Sequence, residues 1–522
     1  MGRVENQRRA FRIVALAASI AIIAGAGIAR SSGNRSAITN FTQWSHLHND
    51  YAVPHVHGPN VAARQDAKMP RAVTAIEAAT PRARCGPGSR PETGHQGRVP
   101  LADFKSGRAD KPYTCNAELV ARHGISGGFA VHRYVDNAGH ECAIYDSSLL
   151  FGREIPRGAE PGTYVLDMSN PAKPKHAATL QTPAMMSPHE SLRLNQKRGL
   201  LAANMGTATT YPGFVDVYDL SKDCRNPVLR SSTPLALAGH EGAFSPDGRT
   251  YWAATTAAPG VTAIDLTDPD LPRVAWRSQE YASHGLSISP DGKRAYLSEV
   301  ADFVTTTSMG AGGFTILDVS EVQKRVTVPT VREVGSITWP EVSIPQNSVP
   351  VAIDGRSYAI QFDEYDSNVW SDDRSDTVGG VHVIDLENER RPRIVSRIRL
   401  EVHQQEARET DQWNDPGADS GGQGYAPHYC SVPRTVEPKI LACSMILSGL
   451  RVFDIRDPKH PREIAYFNQP PPMSDYATLS GSYAMSAPAF VPERGEIWYS
   501  DSNSGFFNVR LTNAARRLLD DS

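Results

Sequence analysis

The stretch "HEGAFSPDGRTYWAATTAAPGVTAIDLTDPDLPRVAWRS", residues 240–278, contains four short runs rich in aliphatic, aromatic and small residues: EGAF, TYWAAT, VTAID and RVAWRS. Each run has the length of a strand, and the connections carry turn chemistry. Ser245-Pro246-Asp247-Gly248 puts proline and glycine where a tight hairpin needs a fixed φ and a left-handed residue. The connection "TDPDLP" (267–272) is polar and twice broken by proline, so one strand ends there before the next begins. The unit therefore reads as four consecutive antiparallel strands, A to D. One such unit cannot bury its own faces and needs neighbours of the same kind.

The neighbours are present. "TYVLDMSNPAKPKHAATL" (163–180), "VDVYDLSKDCRNPVLRSS" (215–232), "FTILDVSEVQ" (314–323), "VHVIDLENERRPRIVSRI" (381–398) and "LRVFDIRDPKHPREIAYF" (450–467) repeat the pattern of strand, Asp, apolar residue, polar turn and strand. Hairpins closed by "NQKRG", "SPDGK", "IDGR", "PRTVEPK" and "VPERG" accompany them. Units begin near Phe129, His189, His240, His284, Asn347, His428 and Ser486, which makes seven. The last lacks strand D, and "CNAELVARH" (115–123) has the character to supply it, joining the two ends of the chain. The expectation is an all-β protein, a seven-bladed β-propeller with an irregular N-terminal extension. Its divisions are 1–30, an export signal or anchor; 31–115, an irregular arm; 116–511, the propeller; and 512–522, a C-terminal tail.

Three of the repeats, "VHVIDLENERRP", "VTAIDLTDPDLP" and "LRVFDIRDPKHP", resemble those of the LVIVD-repeat proteins, propellers found largely among exported bacterial proteins. The resemblance spans roughly residues 116 to 511, implies the propeller fold and brings no settled activity with it. The His-started blades and "SPDG" turns are more weakly similar to the selenium-binding and methanethiol oxidase propellers, which implies dependence on a metal.

Among 522 residues, 40% are hydrophobic and 21% charged, with a net charge of −3, which excludes the basic field that nucleic-acid binding requires. "QRRAFRIVALAASIAIIAGAGIAR" (7–30) has a basic start, an apolar run and small residues at Gly27 and Ala29. It reads as a cleaved signal or as an uncleaved anchor, the one membrane contact expected. Arg8-Arg9-Ala10-Phe11 allows the twin-arginine route beside the general secretory one, and either places the mature protein outside the cell or at its surface. The six cysteines fit an oxidising compartment; spacing suggests Cys85–Cys115 and Cys430–Cys443, leaving Cys142–Cys224.

Chain direction separates the two faces of the disc. A–B and C–D turns lie on one face and are short. B–C and D–A connections lie on the other, and there the chain lengthens at 299–313, 363–380, 403–427 and 469–483. Long loops gathered on one face of a rigid scaffold usually carry function, here an unidentified ligand or protein partner. The histidines start strands on that face. His240 and His284 stand seven residues before Asp247 and Asp291, and His189 stands seven before Gln196. The same offset from Asp354 leads to Asn347, and from Glu493 to Ser486; His428 starts the sixth unit. Radial repetition aims His189, His240, His284 and His428 at one axis, where imidazoles would bind a transition metal such as Zn, Cu or Fe. Glu190, Glu241, Asn347, Glu299, Asp363, Glu364 and Asp501 stand near the same rim as further ligands or as partners of the ligands. A strand-initial histidine can equally hydrogen-bond the next blade. Two functions follow: a scaffold that binds a ligand or partner through its long-loop face, or a metal-dependent enzyme, an oxidoreductase among the options. The pairs His46/His48 and His55/His57 form a second histidine group in the arm.

Overall fold

A computed structural model describes residues 78–520 apart from 148–159, 206–212, 256–259, 282, 301–312, 340–343, 365–378, 405, 408–423, 471–482 and 503. Residues 1–30, the arm histidines and most of the four long inserts lie outside the described residues. The chain forms seven antiparallel sheets arranged as a ring, the seven-bladed propeller that the repeats predict. We number the blades in chain order. Their innermost strands are Val131–Val135, Arg193–Asn195, Glu241–Phe244, Ser283–Ile288, Ile344–Ile353, Tyr429–Ser431 and Ala489–Val491. Blade 7 takes its outer strand from the start of the propeller: Ala117–His123 pairs with Gly505–Leu511, Ala117 opposite Leu511 and His123 opposite Phe506. The seam is tied again where Ala130 bridges Ala487 between inner strands. Among the described residues no helix is long and apolar enough to cross a membrane.

The recurring Asp of the repeat has a local task. Asp167, Asp219, Asp265, Asp318, Asp385 and Asp454 end the third strand of blades 1 to 6. Each accepts the backbone N–H two residues on, from Ser169, Ser221, Thr267, Ser320, Glu387 and Arg456, at 2.8–3.1 Å. A carboxylate closing its own turn explains why the repeat needs Asp and tolerates many residues after it. Alternate residues of each strand then face opposite neighbours. Val261 and Ala263 join Leu286 and Leu297 in one inter-blade core, while Ile264 joins Val215 and Val217 in the next.

All three disulfides form as the spacing suggests: Cys85–Cys115, Cys142–Cys224 and Cys430–Cys443, as expected of an oxidising compartment. The described part of the arm, 78–115, is built into the fold. It holds a short helix, Leu101–Lys105, and a strand, Tyr113–Cys115, that extends blade 6 by pairing with Arg462–Asn468. Beneath it Arg451, fully buried, pairs with Glu92 of the arm and with Glu463 (2.9 Å) and lies 4.5 Å over the Tyr466 ring. The tail carries a helix, Asn513–Asp520.

One seam titrates. His132 of blade 1 holds the backbone oxygen of Leu192 in blade 2 at 2.9 Å through Nε2. Burial, with Arg193 adding to it against the Leu192 hydrogen bond, lowers the imidazole to about 4. An unfolded histidine binds its proton near 6.5, so the unfolded chain takes up the proton first. The contribution is complete above about pH 6.5 and disappears as pH falls towards 4, at most about 3 kcal/mol. His132→Gln keeps a donor for Leu192 and is expected to flatten the stability profile over that window. Denaturant unfolding at stepped pH measures this, and unchanged slopes would contradict it.

Candidate metal centre

The first residues of successive inner strands meet on the axis at the long-loop face. His189 and Glu190 enter blade 2, and Glu190 bridges Glu241 of blade 3 as a parallel neighbour. His240 precedes the inner strand of blade 3. His284 is the extra residue of a β-bulge in blade 4, where Ser283 opposes Glu299 and Gly285 opposes Ser298. A bulge re-aims one side chain without ending the strand, and here it turns the imidazole inward. His428 leads into blade 6, and Glu364 ends the second strand of blade 5. His240, His284, His428, Glu190 and Glu364 are each at most 1% exposed.

The donor atoms converge. Nε2 of His240 is 3.0 Å from Nε2 of His284 and 3.0 Å from Oε2 of Glu190. Nε2 of His284 is 3.2 Å from Oε1 of Glu364 and 3.6 Å from Oε2 of Glu190. Nε2 of His428 is 3.0 Å from Oε2 of Glu364 and 3.2 Å from Oε1 of Glu190. Glu190 and Glu364 thus each join two or more imidazoles. His189 stands at the edge, its Nδ1 3.8 Å from Oε2 of Glu190 and its ring 4.7 Å from that of His240. Phe129 covers this side, with ring centroids 4.2 Å from His189 and 5.1 Å from His428.

Backbone carbonyls fix which nitrogens face inward. Nδ1 of His428 donates to Met485 O at 2.7 Å, and Nδ1 of His284 approaches Gln346 O at 3.3 Å. With Nδ1 so engaged, Nε2 carries the lone pair of the neutral ring, an arrangement usual for metal-binding histidine. Protons alone fill the pocket poorly. Two imidazole nitrogens 3.0 Å apart need a hydrogen between them, while Oε2 of Glu190 lacks a well-aligned donor despite its close nitrogens. Burial opposes ionisation of Glu190, yet His284, His189 and His240 hold its carboxyl well below the usual range. Glu364 is lowered against burial by His284 and His428. Burial would lower His428, but the two carboxylates push it up to about 9. The pocket thus holds two carboxylates whose charge positive charge must balance.

The other candidates are placed as follows. Glu241 lies one step down the channel, paired with Arg193 and receiving the Asn347 amide; burial, with Glu190 nearby, raises its carboxyl against the pull of Arg193. Gly285 leaves room for it, since a Cβ there would collide with Oε2 of Glu241. Glu299 accepts from Thr315 Oγ1 at 2.7 Å, and Asp501 from Ser504 Oγ at 2.6 Å. Asp363 accepts from Trp339 Nε1 at 2.7 Å and lies 3.0 Å from Nε2 of His382. One expectation needs correction. The seven-residue offset leads to Asn347 as the ring position of blade 5, but a bulge between Pro345 and Asn347 puts Gln346 there. Gln346 donates through Nε2 to Glu190 and stands 3.3 Å from Nε2 of His428. Sequence reasoning missed Gln346 and Arg193. The inner strand of blade 5 runs one residue further from its bulge to its turn than that of blade 4, which a count back from the turn does not register, and Arg193 opens its strand without a motif.

No family model matches the chain, and no curated protein matches it in sequence. Solved structures resemble it in strand arrangement. They include hydrazine synthase of Kuenenia stuttgartiensis (13% identity, 76% of this chain and 98% of that one, TM-score 0.47). A putative 6-phosphogluconolactonase of Bacteroides uniformis has 13% identity over 69% of this chain and 91% of that one, TM-score 0.47. The periplasmic gluconolactonase PpgL of Pseudomonas aeruginosa has 15% identity over 66% and 87%, TM-score 0.44. Likeness at this level assigns no activity.

Proposed function

We propose that this propeller holds one divalent transition-metal ion at its axis, with His240, His284, His428, Glu190 and Glu364 as the donor set and His189 at its edge. The observation that carries the reading is the set of separations of 3.0–3.6 Å among three imidazole Nε2 atoms and the oxygens of two glutamates, all buried. Donors bound to one ion at about 2.0–2.2 Å stand about 3.0–3.5 Å from one another. A nitrogen-and-oxygen set without sulfur suits Zn, Fe or Cu(II), and a divalent ion would balance the two carboxylates. Such an ion supplies Lewis-acid or one-electron chemistry when bound. The protein's own part is to exclude bulk water, to fix the imidazole tautomers through Met485 and Gln346, and to present the centre towards the long-loop face. A ligand or partner received by that face would meet the centre first, which joins the scaffold reading to the enzymatic one.

Elemental analysis of the purified full-length protein tests the proposal. About one transition-metal ion per chain is expected, and loss of nearly all of it in His240→Ala/His284→Ala. A folded wild-type protein that takes up no such ion after growth with added metals would sink it, as would a double variant with wild-type metal content.

A further inference from the structure

We propose that Gln346 keeps one coordination position of this centre open to a small exchangeable ligand, water or hydroxide at rest. The inference rests on the metal reading above and deepens it. Blades 4 and 5 share one device. In blade 4 the bulge between Ser283 and Gly285 projects His284; in blade 5 the bulge between Pro345 and Asn347 projects Gln346. Gln346 is therefore the structural counterpart of a donor histidine, delivered to the axis by the same backbone irregularity. An amide is a far weaker ligand for a transition metal than an imidazole. Its presence leaves vacant the direction from which a further ring nitrogen would bind.

Three contacts show what the residue does instead. Its backbone oxygen faces Nδ1 of His284 at 3.3 Å, which fixes that tautomer. Its amide N–H donates to Oε1 of Glu190, leaving Oε2 as the oxygen nearest His240 and His284. The same nitrogen lies 3.3 Å from Nε2 of His428. The remaining atom, Oε1 of Gln346, is buried without a hydrogen-bond partner, on a side chain with no exposed surface. A buried acceptor left unmet is destabilising, so a donor from outside the protein fits it. Water or hydroxide on the ion carries such an O–H. Gln346 is a positioning residue in this scheme: it orients the ligand and the Glu190 carboxylate and does not itself bind the ion.

The test uses full-length protein loaded with one equivalent of Cu(II), with azide as the probe ligand. Pulsed EPR counts coordinated imidazoles, and the azide charge-transfer band reports the open position. Wild-type protein is expected to bind azide saturably. Gln346→His is expected to raise the imidazole count by one and to weaken azide binding by about tenfold or more. Gln346→Leu, which guards against misfolding of the first variant, is expected to keep the wild-type imidazole count and to shift azide affinity severalfold. Wild-type imidazole count and azide affinity in both variants would overturn the assignment of Gln346, as would a copper-loaded wild-type protein that binds no azide. A folded wild-type protein that takes up no Cu(II) would overturn this inference, and one that takes up no Zn, Fe or Cu at all would overturn the metal reading with it.

Discussion

On the proposed metal reading, Glu190→Gln is expected to weaken metal binding by roughly a hundredfold or more. Glu190 is the hub of the cage, within 3.0–3.8 Å of His189, His240, His284 and His428 and held by Gln346. The amide keeps the volume and removes the charge. In metal-free protein the same change removes a counter-charge from buried imidazoles and is expected to cost about 3–5 kcal/mol. That cost depends on pH with a definite sign. His428 is raised to about 9 in the fold, so the stability it draws from the carboxylates is present below about 6.5 and lost as pH rises through 9. Wild-type and variant unfolding curves, recorded without metal, should therefore approach one another between those limits. Metal titration with chelator competition measures the first effect and denaturant unfolding the second. Wild-type affinity in the variant would show that Glu190 is not a donor.

Arg451→Met is expected to destabilise the protein by about 3–5 kcal/mol and to release the arm. Arg451 has no exposed surface, and the side chains of its partners Glu92 and Glu463 are likewise buried, so its loss strands two carboxylates away from water. Burial already raises Glu92 despite the guanidinium. The triple variant Arg451→Met/Glu92→Gln/Glu463→Gln should recover much of the loss, because removing every charge removes the mismatch. Chemical denaturation reads the stability, and limited proteolysis within 78–115 reads the arm. A single variant within about 1 kcal/mol of wild type, with an arm equally resistant to protease, would contradict the role.

The architecture was legible because each blade repeats its own instructions. The turn Asp, the prolines near it and the alternation of strands are local signals, and six copies of a local signal outweigh one ambiguous copy. Three of the rim histidines were legible for the same reason, as residues at a constant distance from a turn, and His428 as the start of its unit. Gln346 was not: both blades carry the bulge, but the blade 5 hairpin runs one residue further between bulge and turn, so a turn-based count passes it by. Alignment on the strand partner, Phe362 opposite Asn347 and Ser298 opposite Gly285, would have found it. The sequence reading named Glu190 and Glu364 only among many carboxylates near the rim. What distinguishes them is approach across blades: Glu364 lies 64 residues before His428 in sequence and 3.0 Å from it in space. The Glu92–Arg451 pair spans 359 residues and has no local trace at all.

Closure of the ring by residues 117–123 against 505–511 also sets an order of events. The first strand of the propeller to be synthesised must wait for the last, because among the described residues its sheet partner is Gly505–Leu511 alone. Contacts between such distant parts of a chain form late and slowly. The cage shares this delay, since its donors come from blades 2 to 6 and lie up to 238 residues apart, from Glu190 to His428. On the proposed metal reading, an ion that needs the assembled donors enters when the chain is nearly or fully made, and the metal pool of whichever compartment the ring closes in would decide which ion it holds.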